Sequence, residues 1–229
     1  MRTKGLLSII MLLGLLFTVQ AADHVKGNGT LTTKKIKIDE FNTIKIDGVI
    51  DFNYEQSDAE PYIEVTVDEN LHEFVNINIK DRELSIGFKG AKVDHYTKFI
   101  VKTNSKWLKE VKASGNANFM VNSAITGDEV KIKANSNCLV QLKETVKVGK
   151  LELNVSGSAN MVVNDLQADK LECSINGSGT INLKKGKAAV GEYSITSSGE
   201  IMAFGVEVPD LTCKMTGNGT MEVHPTDNL

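Results

Sequence analysis

Apolar and polar residues alternate along the C-terminal half of the chain in a pattern that recurs about every twenty residues. Each copy contains a three-residue turn rich in Gly, Ser and Asn. The central residues of the six turns are Gly115, Ser136, Gly157, Gly177, Ser197 and Gly217. Positions four and two residues before each centre are apolar in all six copies, and so are the positions four and six residues after it. Two strands with period-two alternation are therefore predicted in every copy.

The position two residues after each turn centre is always occupied by a small side chain. These residues are Ala117, Cys138, Ala159, Gly179, Gly199 and Gly219. A small residue there fits a corner at which a larger side chain would collide with the next copy. Because one twenty-residue copy cannot bury its own apolar face, the copies must stack. The fold predicted for residues 107–229 is a right-handed parallel β-solenoid with six rungs.

Residues 22–106 show alternation without a regular repeat, which predicts an all-β region of irregular strands. Alternating runs cover parts of residues 41–88 and recur around Ile100, and residues 77–88 read as a hairpin. Only residues 68–74 suit a helical turn, and residues 26–31 resemble one more turn of the repeat type. No Pro/Ser-rich linker separates the halves, so we place a soft boundary near residue 106 and expect them to pack together.

The first residues have the features of a secretory signal. Arg2 and Lys4 precede an apolar run over residues 6–17, and Val19 and Ala21 are small residues at a cleavage site. The predicted signal peptide is residues 1–21. Its apolar run is too short to span a bilayer about 30 Å thick, and no longer run follows. We expect an exported mature chain without a transmembrane segment.

Charge and cysteine content narrow the classes of partner. The chain has 26 basic and 29 acidic residues, and Arg82 is the only arginine after the predicted signal. This balance makes nucleic acid an unsuitable partner.

The cysteines are placed too far apart for a disulfide. Cys173 and Cys213 fall at equivalent positions two rungs apart, which is roughly 10 Å at the spacing of stacked strands. Cys138 occupies a different position, so we expect three free, buried thiols.

The polar side chains of the turns form the candidate binding surface, which comprises Ser156, Ser158, Asn160, Asn176, Ser178, Ser198 and Asn218. Stacked hydroxyls and amides suit a glycan, whereas the alternative is that they only satisfy the turn backbone and one another. A stripe of apolar side chains, nominally outward, suits a partner or a covering segment of the protein. It comprises Met120, Leu139, Val162 and Met202.

A row of acidic residues is the main feature that an enzyme would need. Glu110, Glu152, Glu172 and Glu192 share one position of the repeat, but they alternate outward among lysines and suit a solvated charged ladder. The four histidines are scattered, and the turns lack the aspartates of calcium-binding β-rolls. Gly177-Ser178-Gly179 belongs to the repeat and not to a nucleophile elbow. We therefore expect no catalytic residues, metal or cofactor.

The strands of residues 41–88, followed by repeats such as Val155-Ser156-Gly157-Ser158-Ala159-Asn160, resemble the bacterial family of putative auto-transporter adhesins with a head GIN domain. The resemblance covers residues 25–224. It implies an all-β fold with β-helical character in the exported compartment of a Gram-negative cell, either the periplasm or the cell surface. The family supplies no catalytic motif.

The functional prediction from these features is a non-enzymatic, exported β-repeat protein for envelope or surface interaction, with adhesion as the role that the family suggests. Its partner would be a glycan or a protein of the envelope or host surface, and an oligomer is compatible with the sequence. Two alternatives stay open, a carbohydrate-active β-helix enzyme and a purely structural envelope protein. A pair of carboxylates roughly 5–10 Å apart in a groove would favour the enzyme.

Overall fold

A computed structural model describes residues 24–224, and in this range the chain is built almost entirely of strands. One short 3₁₀ helix, Glu69–Phe74, is also present. The strands are β1 His24–Lys26, β2 Leu31–Lys37, β3 Thr43–Gly48, β4 Asp51–Gln56, β5 Tyr62–Asp68, β6 Val75–Lys80, β7 Glu83–Phe88, β8 Lys92–His95, β9 Ile100–Ser105, β10 Glu110–Gly115, β11 Asn118–Val121, β12 Ile125–Ala134, β13 Leu139–Gly157, β14 Asn160–Gly177, β15 Thr180–Leu183, β16 Gly186–Ser197, β17 Glu200–Ala203, β18 Val206–Glu207, β19 Asp210–Gly217 and β20 Thr220–Val223. The predicted signal peptide lies outside the described residues.

Parallel pairing of successive copies confirms the predicted β-solenoid. The repeat register holds residue by residue, so that Gly157 aligns with Gly177 in the pairing of β13 with β14, and Gly177 aligns with Ser197 in that of β14 with β16. Each rung contributes three strand segments, and these stack into three parallel sheets around one column. The first sheet ends at the turn centres, the second follows the turns, and the third contains β18 and the segments aligned with it.

The apolar positions of the repeat form the interior of the column. In the rung around Gly177, the four side chains that flank the turn are exposed by no more than 2 %. They are Cys173, Ile175, Ile181 and Leu183. Alternate residues of the same strands point outward, as the sequence predicts. The four residues of the predicted apolar stripe lie on the outer surface of the second sheet and are half-buried.

All six turn centres adopt a positive φ, between +63° at Ser136 and +140° at Gly177. Glycine takes up this conformation at low cost, whereas Ser136 and Ser197 adopt it against the preference of an L side chain. Two residues further on, the chain turns inward against the preceding rung. A Cβ added at Gly179 would collide with the carbonyl oxygen of Ala159 and with Val155. Steric crowding between rungs therefore explains why the predicted corner holds small residues.

The N-terminal region begins the same column. β3 and β4 pair in parallel with β10 and β11, and Gly48 aligns with Gly115 and has a φ of +104°. Residues 43–56 are thus a further rung. Below this rung, β7 pairs with β3 and β9 pairs with β4, also in parallel. The sheets consequently continue across residue 106 without a break.

Antiparallel strands close the N-terminal end of the column. β6 pairs with β7 as the predicted hairpin, through a turn with positive φ at Asp81 and Arg82, while β5 pairs with β9 and β2 pairs with β5. The 3₁₀ helix occupies the segment predicted to hold a helical turn. The interpretation of residues 26–31 as another repeat turn is wrong. This loop instead wraps Asp68, which accepts a hydrogen bond from Gly29, and β2 then runs antiparallel.

Two of the three cysteines fit the prediction and one does not. Cys138, Cys173 and Cys213 are all free, and Tyr193 separates Cys173 from Cys213 in the column as the register requires. Cys138 and Cys173 are buried, but the prediction that Cys213 is buried is wrong. Cys213 belongs to the last described rung, which has no rung above it to cover the inward positions.

Steric crowding at the corner makes a first prediction. Gly179→Ala should lower the free energy of unfolding by about 1–3 kcal/mol, the usual cost of overpacking, because the new methyl meets the backbone of the rung below. Gly127→Ala is the matched control, because a Cβ there meets nothing within 4 Å. Urea denaturation of both variants measures the difference, and equal stabilities would contradict the steric role of the corner.

Candidate functional site

The seven predicted binding residues lie on one edge of the solenoid, where the first sheet turns into the second. We call this edge the turn edge and define it by Ser156, Ser158, Asn160, Asn176, Ser178, Ser198 and Asn218. All seven are exposed. The register places residues of successive rungs directly above one another, so equivalent side chains repeat at about 4.8 Å. Two parallel rows of hydroxyl and amide groups result along the long axis, one just before and one just after the turn centres, and Asn160 lies beside them at the start of the second sheet.

Backbone contacts between rungs satisfy much of the turns, and in the turn centred on Ser136 the side chain of Asn135 also accepts a hydrogen bond from the Ser136 N–H. The N–H of Ser178 donates to the carbonyl of Gly157 at 2.8 Å, and the N–H of Ser198 donates to that of Gly177 at 3.1 Å. On the far side of the turn, the N–H of Asn160 donates to the carbonyl of Cys138 in the preceding rung in the same way. The contacts of the alternative considered from the sequence are thus present at some turns, whereas the turns around Gly157 and Gly177 bond to the preceding rung through backbone groups.

Most turn-edge side chains have no partner within the described chain. Ser158 and Ser178 form one hydroxyl pair, with 3.2 Å between their oxygens. The other five make no side-chain hydrogen bond to any described residue. They are Ser156, Asn160, Asn176, Ser198 and Asn218. Their donors and acceptors are available to an external polar molecule.

The outer surface of the first sheet carries the acidic row, and lysines neutralise it. Glu172 lies 2.9 Å from Lys150 and 2.7 Å from Lys170, which in turn lies 2.8 Å from Glu192. Glu152 pairs with Lys131 in the same way. Nearer the N-terminal end, Lys133 and Lys112 flank Glu110. The predicted charged ladder thus consists of two ion-pair networks of alternating sign, one around Glu110 and one that runs from Lys131 to Glu192.

These ion pairs keep the carboxylates ionised. The hydrogen bond from Lys170 holds the pKa of Glu172 below its ordinary value of 4.5. Burial works against ionisation at Glu152, but hydrogen bonds from Lys131 and Asn154 outweigh it and also lower the pKa. A glycosidase needs one carboxylic acid that stays protonated near neutral pH, which requires a raised pKa. Glu152 and Glu172 are both shifted the opposite way.

A cleft near the entry to the first repeat is a feature that the sequence analysis did not identify. It encloses about 720 Å³, and its lining includes Asn42, Arg82, Trp107 and Lys109. Trp107 is 48 % exposed, and the guanidinium of Arg82 makes no hydrogen bond or ion pair to a described residue. Both residues are visible in the sequence, Trp107 as the only tryptophan and Arg82 as the only arginine besides Arg2. Arg82 and Trp107 come together only because the chain returns to stack on residues 43–56. No local pattern in the sequence indicates this return.

Residues 24–224 contain no cluster of three or more His, Cys, Asp or Glu side chains placed to hold a metal ion. The same part of the chain contains no helix long and apolar enough to cross a membrane. Neither a metal site nor a helical anchor therefore enters the description of these residues.

The fold and the edge define a repetitive β-solenoid with a polar, exposed row of turn residues. The family described as "putative auto-transporter adhesin, head GIN domain" matches residues 40–229, and the chain belongs to this family. A comparison with curated proteins finds no match.

Solved structures with similar folds include three proteins from Parabacteroides species. The chain is 75 % identical to a putative adhesin from Parabacteroides merdae, with a TM-score of 0.88 over 89 % of this chain and 85 % of the other. It is 71 % identical to a putative adhesin from Parabacteroides distasonis, with a TM-score of 0.87 over 88 % and 84 % of the two chains. A putative lipid binding protein from Parabacteroides distasonis is 28 % identical, with a TM-score of 0.77 over 87 % and 98 %.

The ion-pair network makes a prediction about stability and pH. Glu172→Gln should lower the free energy of unfolding at pH 7 by about 1 kcal/mol or less, the scale of partly exposed ion pairs. Because the pKa of Glu172 is lower in the folded state, its contribution is present above the pKa of the unfolded chain and is lost as the pH falls through the folded value. The gap between wild type and variant should therefore narrow as the pH falls below the ordinary carboxyl pKa of 4.5 and close once Glu172 is protonated in the folded state.

Chemical denaturation across this pH range measures the gap. Glu207→Gln is the control, because Glu207 is exposed and forms no ion pair with a described residue. A gap that does not narrow on acidification, or an equal effect in the control, would contradict the role of the network.

Proposed function

We propose that this protein is a non-enzymatic, exported adhesin-type protein that binds saccharide at the bacterial envelope or surface through its turn edge. The observation that carries the proposal is the group of five exposed turn-edge side chains that make no hydrogen bond to a described residue. Such groups retain their full capacity for hydrogen bonds with hydroxyl-rich ligands. Because they come from successive rungs about 4.8 Å apart, they suit a ligand that is itself repetitive.

The shape of the column supports surface binding over enclosure. The interior beneath the turn edge is filled by side chains such as Ile175 and Ile181, each exposed by 1 % or less. A ligand therefore has to lie along the outside. An extended polysaccharide satisfies this requirement, because successive sugars meet successive rungs.

The relatives support a role in surface interaction. The family and the two most similar of the structures described above are named as adhesins. The more distant relative named as a lipid binding protein makes lipid the second ligand class to test. Because the described interior is packed, a lipid on this chain would also have to bind at an outer surface.

The state of the acidic row favours binding over catalysis. Neighbouring rungs place Glu152 and Glu172 about 4.8 Å apart along the column, close to the separation of carboxylates in retaining glycosidases. Their lysine partners, however, lower the pKa of both groups and remove the protonated acid that the reaction needs. A binding role requires no such acid.

Binding of the purified mature chain to an array of bacterial and host-matrix glycans tests the proposal. We expect retention of a subset of polysaccharides, and a loss of at least tenfold in affinity for the triple variant Asn160→Ala, Asn176→Ala, Ser198→Ala. These side chains are exposed and unpartnered, so the variant should keep the melting temperature of the wild type. Gln167→Ala with Lys187→Ala, on the outer surface of the third sheet, is the matched control.

The remaining outcomes separate the alternatives. Binding abolished by Trp107→Ala but not by the triple variant would move the site to the cleft and contradict the turn edge. Binding to lipid vesicles without glycan binding would favour a lipid ligand, and cleavage of a bound polysaccharide would contradict the non-enzymatic role. Absence of binding in every assay would favour a purely structural protein.

A further inference from the structure

The C-terminal end of the column is open in the described structure. In the last rung, the inward position at Met215 is 52 % exposed and Cys213 is exposed, whereas the same positions one rung below, Ile195 and Tyr193, are each exposed by 1 %. β19 pairs with β16 on one side, and among the described residues no strand pairs with its other side. An apolar end with unpaired backbone N–H and C=O groups favours pairing with another strand.

The opposite end of the column is built differently. This end has two edge strands, β2 and β6. β2 carries Lys34, Lys35 and Lys37, β6 ends at Lys80, and lysines on an edge strand oppose pairing with a further chain. Antiparallel strands also cover the inward positions near this end, so that Ile63, Val65 and Leu84 are almost fully buried. The two ends are therefore not complementary surfaces for head-to-tail stacking.

We infer that the open end pairs with the same end of a second copy, so that two solenoids join end to end about a twofold axis. A second copy has the same cross-section, and it can cover several open sheet edges at once where a single peptide covers one. Isologous contacts of this kind form a closed twofold dimer, which is the commonest symmetry among homo-oligomers. The inference does not rest on the saccharide-binding proposal, although Asn218 of the turn edge belongs to the same last rung.

The sequence of β19 is self-complementary when two copies run antiparallel. Pairing centred on Cys213 sets Cys213 opposite Cys213 of the partner subunit and Leu211 opposite Met215 of the partner subunit. Inward side chains thereby face inward side chains on both copies, which a shift by one residue would reverse. The outward Lys214 faces Thr212 of the partner subunit, so no like charges oppose each other in this strand pair.

The centre at Cys213 also superposes the two columns. The first sheet of the last rung extends from the bend at Pro209 to the turn centre at Gly217, and Cys213 lies midway between them. The acidic side chains of Glu207 and Glu222 lie on the outer surfaces of the other two sheets at the same end. They form the rim of the contact, where salt screens their repulsion.

Light scattering coupled to size exclusion tests the interface on the full mature chain. We expect the mass of a dimer for the wild type and the mass of a monomer for Met215→Glu. Because Met215 is already half exposed, the variant should keep the monomer fold and still melt cooperatively. Ile36→Lys is the matched control at the other end, where Ile36 is 48 % exposed, and should remain dimeric.

Site-specific cross-linking tests the register in a Cys213→Ser background. After addition of a diazene oxidant, which takes up the two protons and two electrons released by a thiol pair, a mixture of Leu211→Cys and Met215→Cys chains should form a cross-linked heterodimer. Neither variant alone should cross-link efficiently. Directly opposed residues of antiparallel strands have Cα atoms about 4.5–5.5 Å apart, within the range of a disulfide.

Several results would overturn the inference. A monomeric wild type at all concentrations tested would do so, as would a dimer that survives Met215→Glu or is disrupted by Ile36→Lys. Dimer formation only after deletion of residues 225–229 would show that this segment, and not a second copy, covers the end. Heterodimer cross-linking no stronger than that of the single variants would contradict the antiparallel register.

Discussion

Every rung of this protein buries its apolar side chains against the rungs above and below it, and the rest of the structure depends on this mutual coverage. Ile175, for example, is fully buried only because Val155 and Ile195 occupy the same position on either side. At roughly 25 cal/mol per Å² of apolar surface removed from water, such a column supplies the main stabilisation of the fold. Where coverage stops, as at Met215, an apolar residue becomes exposed.

The same stacking frees the turn edge for function. Because the backbone of each turn bonds to the preceding rung, side chains such as Asn176 and Ser198 have no structural bond to make. On the first sheet the opposite holds, since Glu172 and its neighbours are committed to lysines. One surface thus presents unsatisfied polar groups and another presents a closed ionic network, although both arise from the same repeat.

The regular part of the fold was predictable from the sequence because each position of the repeat has one physical role. The inward positions, the small corner residues, the turn centres and the hairpin all follow from local patterns, and so do the exposed residues of the turn edge. The rung at residues 43–56 carries a partial signal, since Ile44, Ile46, Phe52 and Tyr54 occupy the apolar positions around Gly48. Its corner position, however, holds Ile50, and 67 residues separate Gly48 from its structural neighbour Gly115.

Long-range placement accounts for what the sequence did not reveal. The loop around Gly29 has the local composition of a repeat turn, but Asp68, distant in sequence, determines its conformation. The cleft of Trp107 and Arg82 forms only when the chain returns to stack on β3. The exposure of Cys213 follows from its place in the last described rung, which its own alternation pattern does not encode.

Native-state hydrogen exchange measured by mass spectrometry tests the continuous column most directly. If the column extends from residues 43–56 into the repeats, the amides of β3 and β4 should exchange with the same opening free energy as those of β10 to β14, as members of one cooperative unit. Exchange of β3 and β4 at a clearly lower free energy, while residues 107–217 stay protected, would contradict the account. In that case residues 22–106 and 107–229 would behave as separate units, and the column would begin only at the first repeat.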